Sequence, residues 1–228
     1  MSAANIIVAS DGAHLVSDSL VWSTADQTIT AICNKAILLP QVNAAATIRA
    51  EAFVVFQAVS LALSTMTASG FDEFKQTIGP TLMELNDRMA AMGAASPFEV
   101  SVAGISEQNG PSGFRITTLQ GEGGHLEPWQ IVEMPRGFSP CPCNTDAQET
   151  EIRSALETAP RNLESHAIAA LKTQRDIAKR DHLAGREPCW VGGFAQLTTI
   201  SAGGISTRII HRWPDDVVGA RLAAGQKY

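Results

Sequence analysis

The spacing of apolar residues changes repeatedly along this chain, and each change narrows what it can fold into. Asn5 to Ser10 (N-I-I-V-A-S) is a short β-branched run. Asp11-Gly12 behind it is a hairpin turn signal, and Ala13 to Ser19 resumes as a second strand. A polar connection follows, with Asp26 and Gln27 near its turn, and then Lys35 to Pro40 and Asn43 to Ile48 read as another hairpin. From Arg49 to Met66 the chain is apolar almost all round and too long for an ordinary strand, which predicts a helix buried on more than one side. Phe71, Phe74, Ile78, Leu82, Leu85, Met89 and Met92 recur at spacings of three and four, one face of an amphipathic helix. Gly79-Pro80 is expected to kink or split that helix, and its methionines read as core filling.

Strand spacing returns at Pro97 to Ile105, with a turn at Asn109-Gly110-Pro111 and a return strand from Gly113 to Leu119. Residues 120–145, rich in Gly and Pro, read as loops around a short strand near Trp129 to Glu133. Asp146 is placed to cap a helix whose first turns carry Glu149 and Glu151, the favourable end of its dipole. That helix runs to about Thr158, and Pro160 separates it from a second one, Leu163 to Leu183. Gly192 to Ile200 and Ile205 to Trp213 close a last hairpin through Ala202-Gly203-Gly204. The order is strands, two helices, strands, two helices, strands. It suits two antiparallel sheets stacked between two helical layers, although pattern alone leaves other α+β architectures open. No repeat or low-complexity linker interrupts residues 1–228, so one domain with a short C-terminal tail is expected.

Composition removes several functions. With 228 residues, 45% of them hydrophobic, the chain is long enough to bury a substantial core. A net charge of −6 gives no electrostatic basis for binding nucleic acid or an anionic membrane. The densest basic patch, Lys172 to Arg180, is interleaved with Asp176 and reads as a solvated helix face. No secretory signal is visible, and the longest apolar stretch, Ala52 to Leu63, is broken by Gln57 and Ser60. A soluble, cytoplasmic protein is therefore expected. Cys141 and Cys143 flank Pro142 and could supply two thiolates to a metal, but no second ligand pair accompanies them, so the cysteines read as structural. His14, His125, His166, His182 and His211 have no ligand spacing, and Gly121-Glu122-Gly123-Gly124 lacks the Lys-Ser/Thr of a phosphate loop. No cofactor or metal is expected.

Within this order, specific residues resemble the proteasome β-subunit family and its bacterial relatives among the N-terminal-nucleophile (Ntn) hydrolases. That family runs from a nucleophile through a short strand, a turn ending in Gly and a hydrophobic strand to an Asp-Ser pair and then a Lys. The counterparts are Ser2, Asn5 to Ser10, Gly12, Ala13 to Val16, Asp18-Ser19 and Lys35. Ser101 to Gly121 is similar to the family's strand, turn, strand, Gly block, and Gly192-Gly193 opens a strand after a helix as the family's Gly pair does.

The resemblance implies a four-layer αββα sandwich, two antiparallel sheets between helical layers, that associates with copies of itself. It also implies amidohydrolase or peptidase chemistry on a peptide or amide substrate. Ser2 would supply the nucleophile and, once Met1 is removed, its α-amine the base. Lys35 would lower the proton affinity of the site, and Asp18 would pair with Lys35. A small residue such as Ser2 permits removal of Met1.

Three departures favour a degenerate site. The family's oxyanion-hole Gly is replaced by Ile48-Arg49-Ala50. Its Asp-x-x-Ser-Gly-Gly segment reads Pro188-Cys189-Trp190-Val191-Gly192-Gly193, keeping the glycines and losing both polar groups. Its Ser-Gly-Ser stretch has no counterpart near Gly137-Phe138-Ser139. The alternative is a catalytically silent assembly subunit, part of a ring or of a particle such as a phage-related one. Asp18-Ser19 would then only end a strand, and Lys35 would be a solvated neighbour or a structural partner of Asp18.

Overall fold

A computed structural model describes residues 3–118, 127–142, 145–186 and 188–222. The chain opens with β1 (Ala4–Val8) and β2 (Ala13–Asp18), followed by β3 (Leu20–Trp22), β4 (Ile29–Ile32), β5 (Ala36–Leu39) and β6 (Ala44–Ala50). Helices α1 (Phe53–Thr65) and α2 (Phe71–Ala91) come next, then β7 (Phe98–Ser106), β8 (Gly110–Thr117), β9 (Val132–Glu133) and β10 (Gly137–Ser139). Helices α3 (Asp146–Thr158) and α4 (Leu163–Leu183) and the hairpin β11 (Phe194–Ser201) and β12 (Gly204–Arg212) complete it. The β1–β2 turn is tight: Ala9 N–H donates to Gly12 O at 2.9 Å, and a Cβ on Gly12 would meet Ile200 O at 2.7 Å.

The strands form two five-stranded antiparallel sheets, ordered β10-β1-β2-β11-β12 and β5-β6-β7-β8-β9, with β3 and β4 paired as a separate ribbon. Alternation along β1 and β6 explains the stacking, because each presents apolar side chains on both faces. Ile6, Leu15, Ala45 and Ala103 meet between the sheets. Ala46, Ile48, Val100 and Phe114 face α1 and α2 through Val59, Phe71, Phe74 and Ile78. On the opposite side Ile7, Val16 and Leu197 face α4 through Ala167 and Leu171, and α3 joins that layer through Ile152. The result is the expected αββα stack.

Five local expectations are corrected. The first helix starts at Phe53, because Arg49 lies in β6, where its side chain pairs inward with Glu99. Nor is that helix enclosed within the chain. Val55, Val59 and Leu63 form its buried stripe, whereas Phe53, Val54 and Leu61 are exposed. Helix α2 runs unbroken through Pro80, which sits on the solvent side where the carbonyl it leaves without a donor can turn to water. The β7–β8 turn falls at Glu107–Asn109, so Gly110 (φ +73°) already opens the return strand. Thr145, one residue before Asp146, caps α3 by accepting from Gln148 N–H at 3.2 Å. Residues 119–126, including His125 and the Gly121–Gly124 stretch, lie outside the described residues, as do Ser2 and Cys143.

Candidate active site

Asp18 ends β2 with its carboxylate inside the protein, and the fold brings four donors to it. Oδ1 accepts from Ala3 N–H at 3.0 Å, and Oδ2 from Leu20 N–H at 3.0 Å and Gly192 N–H at 3.2 Å. Lys35 Nζ lies 3.1 Å and 3.2 Å from the two oxygens and donates to Leu20 O at 2.5 Å. Asp18 and Lys35 are both buried, so the pair is desolvated and its charges compensate each other directly. Lys35 is therefore a partner of Asp18 and not a solvated residue, and Asp18 does more than end a strand. The third expected site residue, Ser2, lies outside the described residues. Its neighbour Ala3 is fully buried and held by Asp18 Oδ1.

A cleft of about 760 Å³ opens beside Lys35, walled by Leu20, Trp22, Ile48, Ala50, Phe53 and Phe56. Strand β5 stops at Ala36, opposite Thr47, so Ile48–Ala50 of β6 are paired on the β7 side only. Arg49 stands where the resemblance calls for a glycine. Its neighbours Ile48 and Ala50 line the cleft, whereas the Arg49 side chain turns into the sheet interface. There it meets Glu99 at 3.5 Å and Cys141 Sγ at 3.0 Å, so the bulk that replaces glycine does not fill the cleft.

That inward turn creates a buried network the sequence did not announce. Cys141 Sγ donates to Glu99 Oε1 at 2.8 Å, and Arg115 donates to Ser101 Oγ, Ala4 O and Ser139 O. Burial alone would raise the Glu99 carboxyl. The charges of Arg49 and Arg115, with the Cys141 thiol donating to it, outweigh burial and hold Glu99 below its ordinary value. Burial, with Glu99 beside it, pushes the Cys141 thiol up to about 12, so it stays protonated as a donor. This is a structural role for Cys141, and among the described residues no group of three or more His, Cys, Asp or Glu is arranged to hold a metal ion.

The Gly192-Gly193 pair closes the site from the other side. Ser19 N–H donates to Gly192 O at 3.1 Å, and Ser19 Oγ accepts from Phe194 N–H at 2.6 Å. Gly193 has φ +73°, and a Cβ there would fall 2.3 Å from Ser19 Oγ, so both conformation and space require glycine. Behind the pair, Arg175 of α4 and Asp216 beyond β12 form a bidentate ion pair, with contacts of 2.7 and 2.8 Å. Gly193 N–H donates to Asp216 Oδ2 at 2.6 Å, and Arg175 donates to Val191 O at 2.6 Å. Neither residue was singled out in the sequence. They are 41 positions apart and carry no motif, and only the adjacent glycines hinted that something packs closely there.

Two five-stranded antiparallel sheets between two helical layers define an αββα sandwich. No protein-family model and no curated protein matches the sequence. Solved structures do match. The Anbu (Gly-1) mutant from Hyphomicrobium sp. strain MC1 is similar with a TM-score of 0.65 at 15% identity, over 95% of this chain and 89% of that one. Anbu from the same organism gives 0.61 at 16% identity over 94% and 88%. Anbu (ancestral beta-subunit) from Yersinia bercovieri gives 0.60 at 15% identity over 92% and 87%. At these identities the likeness is one of fold, and it establishes the proteasome-like Ntn sandwich. Among the described residues no helix is long and apolar enough to cross a membrane.

Proposed function

We propose that this chain is an Ntn amidohydrolase or peptidase that acts through Ser2 after Met1 is removed. The observation that carries this reading is the Asp18 carboxylate, which holds Lys35 Nζ and Ala3 N–H together and so draws the residue after Ser2 to the lysine. In the free α-amine form, with a pKa near ~8, the Ser2 nitrogen accepts the Oγ proton as Oγ attacks the amide carbonyl. The Lys35 ammonium stabilises the negative charge that develops. Collapse of the tetrahedral intermediate breaks the C–N bond, and the departing amine takes the proton back from the Ser2 ammonium. Water then hydrolyses the acyl-Ser2 ester. An extended peptide fits the backbone of Ile48–Ala50 that β5 leaves unpaired, with an apolar side chain in the neighbouring cleft.

The test is the intact mass of the natively expressed protein after exposure to an electrophilic Ntn probe. Loss of Met1 plus one covalent adduct, absent in Ser2→Ala, is expected. Retained Met1 with no adduct would remove the reading.

A second reading, a silent assembly subunit, is favoured by the exposed apolar face of α1 and by Pro188 and Val191 at the positions of the family's polar residues. Self-association through α1 is compatible with either reading.

A further inference from the structure

We infer that Arg175 and Asp216 form a positioning clamp for Asp18, supplying from α4 and the segment after β12 the polar support that residues 188–191 lack. The inference rests on the reading of Asp18 and Lys35 as parts of an Ntn site. Three consecutive residues are gripped from two sides. On the outer side, Val191 O accepts from Arg175, and Gly193 N–H donates to Asp216. On the inner side, Gly192 N–H donates to Asp18 Oδ2, and Gly192 O accepts from Ser19 N–H. The same Asp18 carboxylate holds Ala3 N–H and Lys35. A chain of direct contacts therefore runs from Arg175 and Asp216 through two glycines to the start of β1.

The clamp fits only around glycine. A Cβ on Gly192 would lie 2.2 Å from Asp216 Oδ2 and 2.4 Å from Arg175 Nη1. It is also braced. The Arg175 guanidinium stacks 5.3 Å from the centre of the Trp213 ring, and Trp213 N–H donates to Gly193 O at 2.9 Å. Both charged side chains are largely withdrawn from solvent, so the pair is little screened and its bidentate geometry is fixed. Val191, which with Pro188 reads in sequence as lost polar support, thus stands beside a replacement drawn from elsewhere in the chain. Arg175 and Asp216 make no contact with the cleft beside Lys35, and their role is to fix the loop that orients the acid.

The test is amide hydrogen exchange, read by NMR, in the full chain and in Asp216→Ala. Exchange of Gly192 and Gly193 is expected to quicken at least tenfold, and that of Ala3 with it, while β6–β8 keep their protection. Asp216→Asn retains an acceptor for Gly193 N–H and is expected to lie between the two. It also serves as the variant if Asp216→Ala does not fold. Faster exchange at the two glycines with Ala3 unchanged overturns the clamp as a positioning device, because the loop is then held without consequence for Asp18. Unchanged exchange at all three overturns it outright. In probe labelling of Ser2, the variants are expected to lower the maximal inactivation rate about tenfold with probe affinity unchanged, and a change in affinity alone counts against positioning. A wild-type chain that takes no probe removes the Ser2 reading but leaves the exchange result standing.

Discussion

At the scale of single residues, Asp18 and Lys35 are unequal partners. Without Lys35, Asp18 keeps three backbone N–H donors, from Ala3, Leu20 and Gly192. Without Asp18, a buried ammonium loses its carboxylate, and those backbone groups lose their acceptor. Asp18→Ala is therefore expected to cost about 3–5 kcal/mol of stability, the usual range for breaking a buried ion pair. Lys35→Met is expected to cost about 1–3 kcal/mol, that of an imperfectly satisfied polar group. Urea unfolding of the two variants checks the order, and an equal or reversed cost would mean that Lys35 holds the pair together. These two residues were legible in sequence because the Asp-Ser pair and the following Lys stand at family-like intervals. Arg175 and Asp216 were not, because a contact between side chains 41 positions apart leaves no local periodicity.

At the scale of elements, the legible parts were those whose hydrophobic spacing matches one period over many residues. Helix α4 runs Leu163–Leu183 as read, the β1–β2 hairpin falls where Asp11-Gly12 signals its turn, and β5 and β6 pair as the hairpin read there. The misreadings fall where tertiary packing overrides local preference. Arg49 is helix-compatible in isolation, but Glu99 and Cys141 claim it for β6. Pro80 is a helix breaker whose lost hydrogen bond lies on the solvent side of α2.

The network around Glu99 makes these strands depend on pH. Its carboxyl is held below its ordinary value by Arg49 and Arg115 against the effect of burial, so the folded state binds that proton less readily than the unfolded chain. The stabilisation is present in full above the unfolded carboxylate pKa of about 4.3, and it is lost as pH falls through the lower folded value. Glu99→Gln is expected to be about 3 kcal/mol less stable than the wild type at pH 7. The gap should begin to narrow as pH falls below the unfolded value of about 4.3 and close only once pH has passed the lower folded value, where the wild type is protonated as well. Unfolding midpoints across that range provide the check, and a gap independent of pH would place the loss in packing instead of charge.

At the scale of the whole molecule, α1 carries more exposed large hydrophobic side chains than any other described element. Phe53, Val54 and Leu61 are 61%, 54% and 66% exposed, on a helix whose opposite stripe, Val55, Val59 and Leu63, is fully buried. Desolvating such side chains is worth about 1.5–3 kcal/mol each when they become completely buried, enough for a few of them to anchor an interface. If copies of this chain associate through α1, Val54→Ser with Leu61→Ser should convert a multiple of the 24.2 kDa chain mass to a single copy in native mass measurements. The helical circular dichroism signal should be unaltered, because neither side chain packs in the core. Phe53 also walls the cleft beside Lys35, with Phe56 one turn away, whereas Val54 and Leu61 do not. An interface that covers α1 would therefore reach the cleft through Phe53, and loss of association in the double variant should slow probe labelling of Ser2 without altering any cleft residue. A wild type that is a single copy at all concentrations would remove self-association from both functional readings. Association without an effect on labelling would separate the helical face from the cleft.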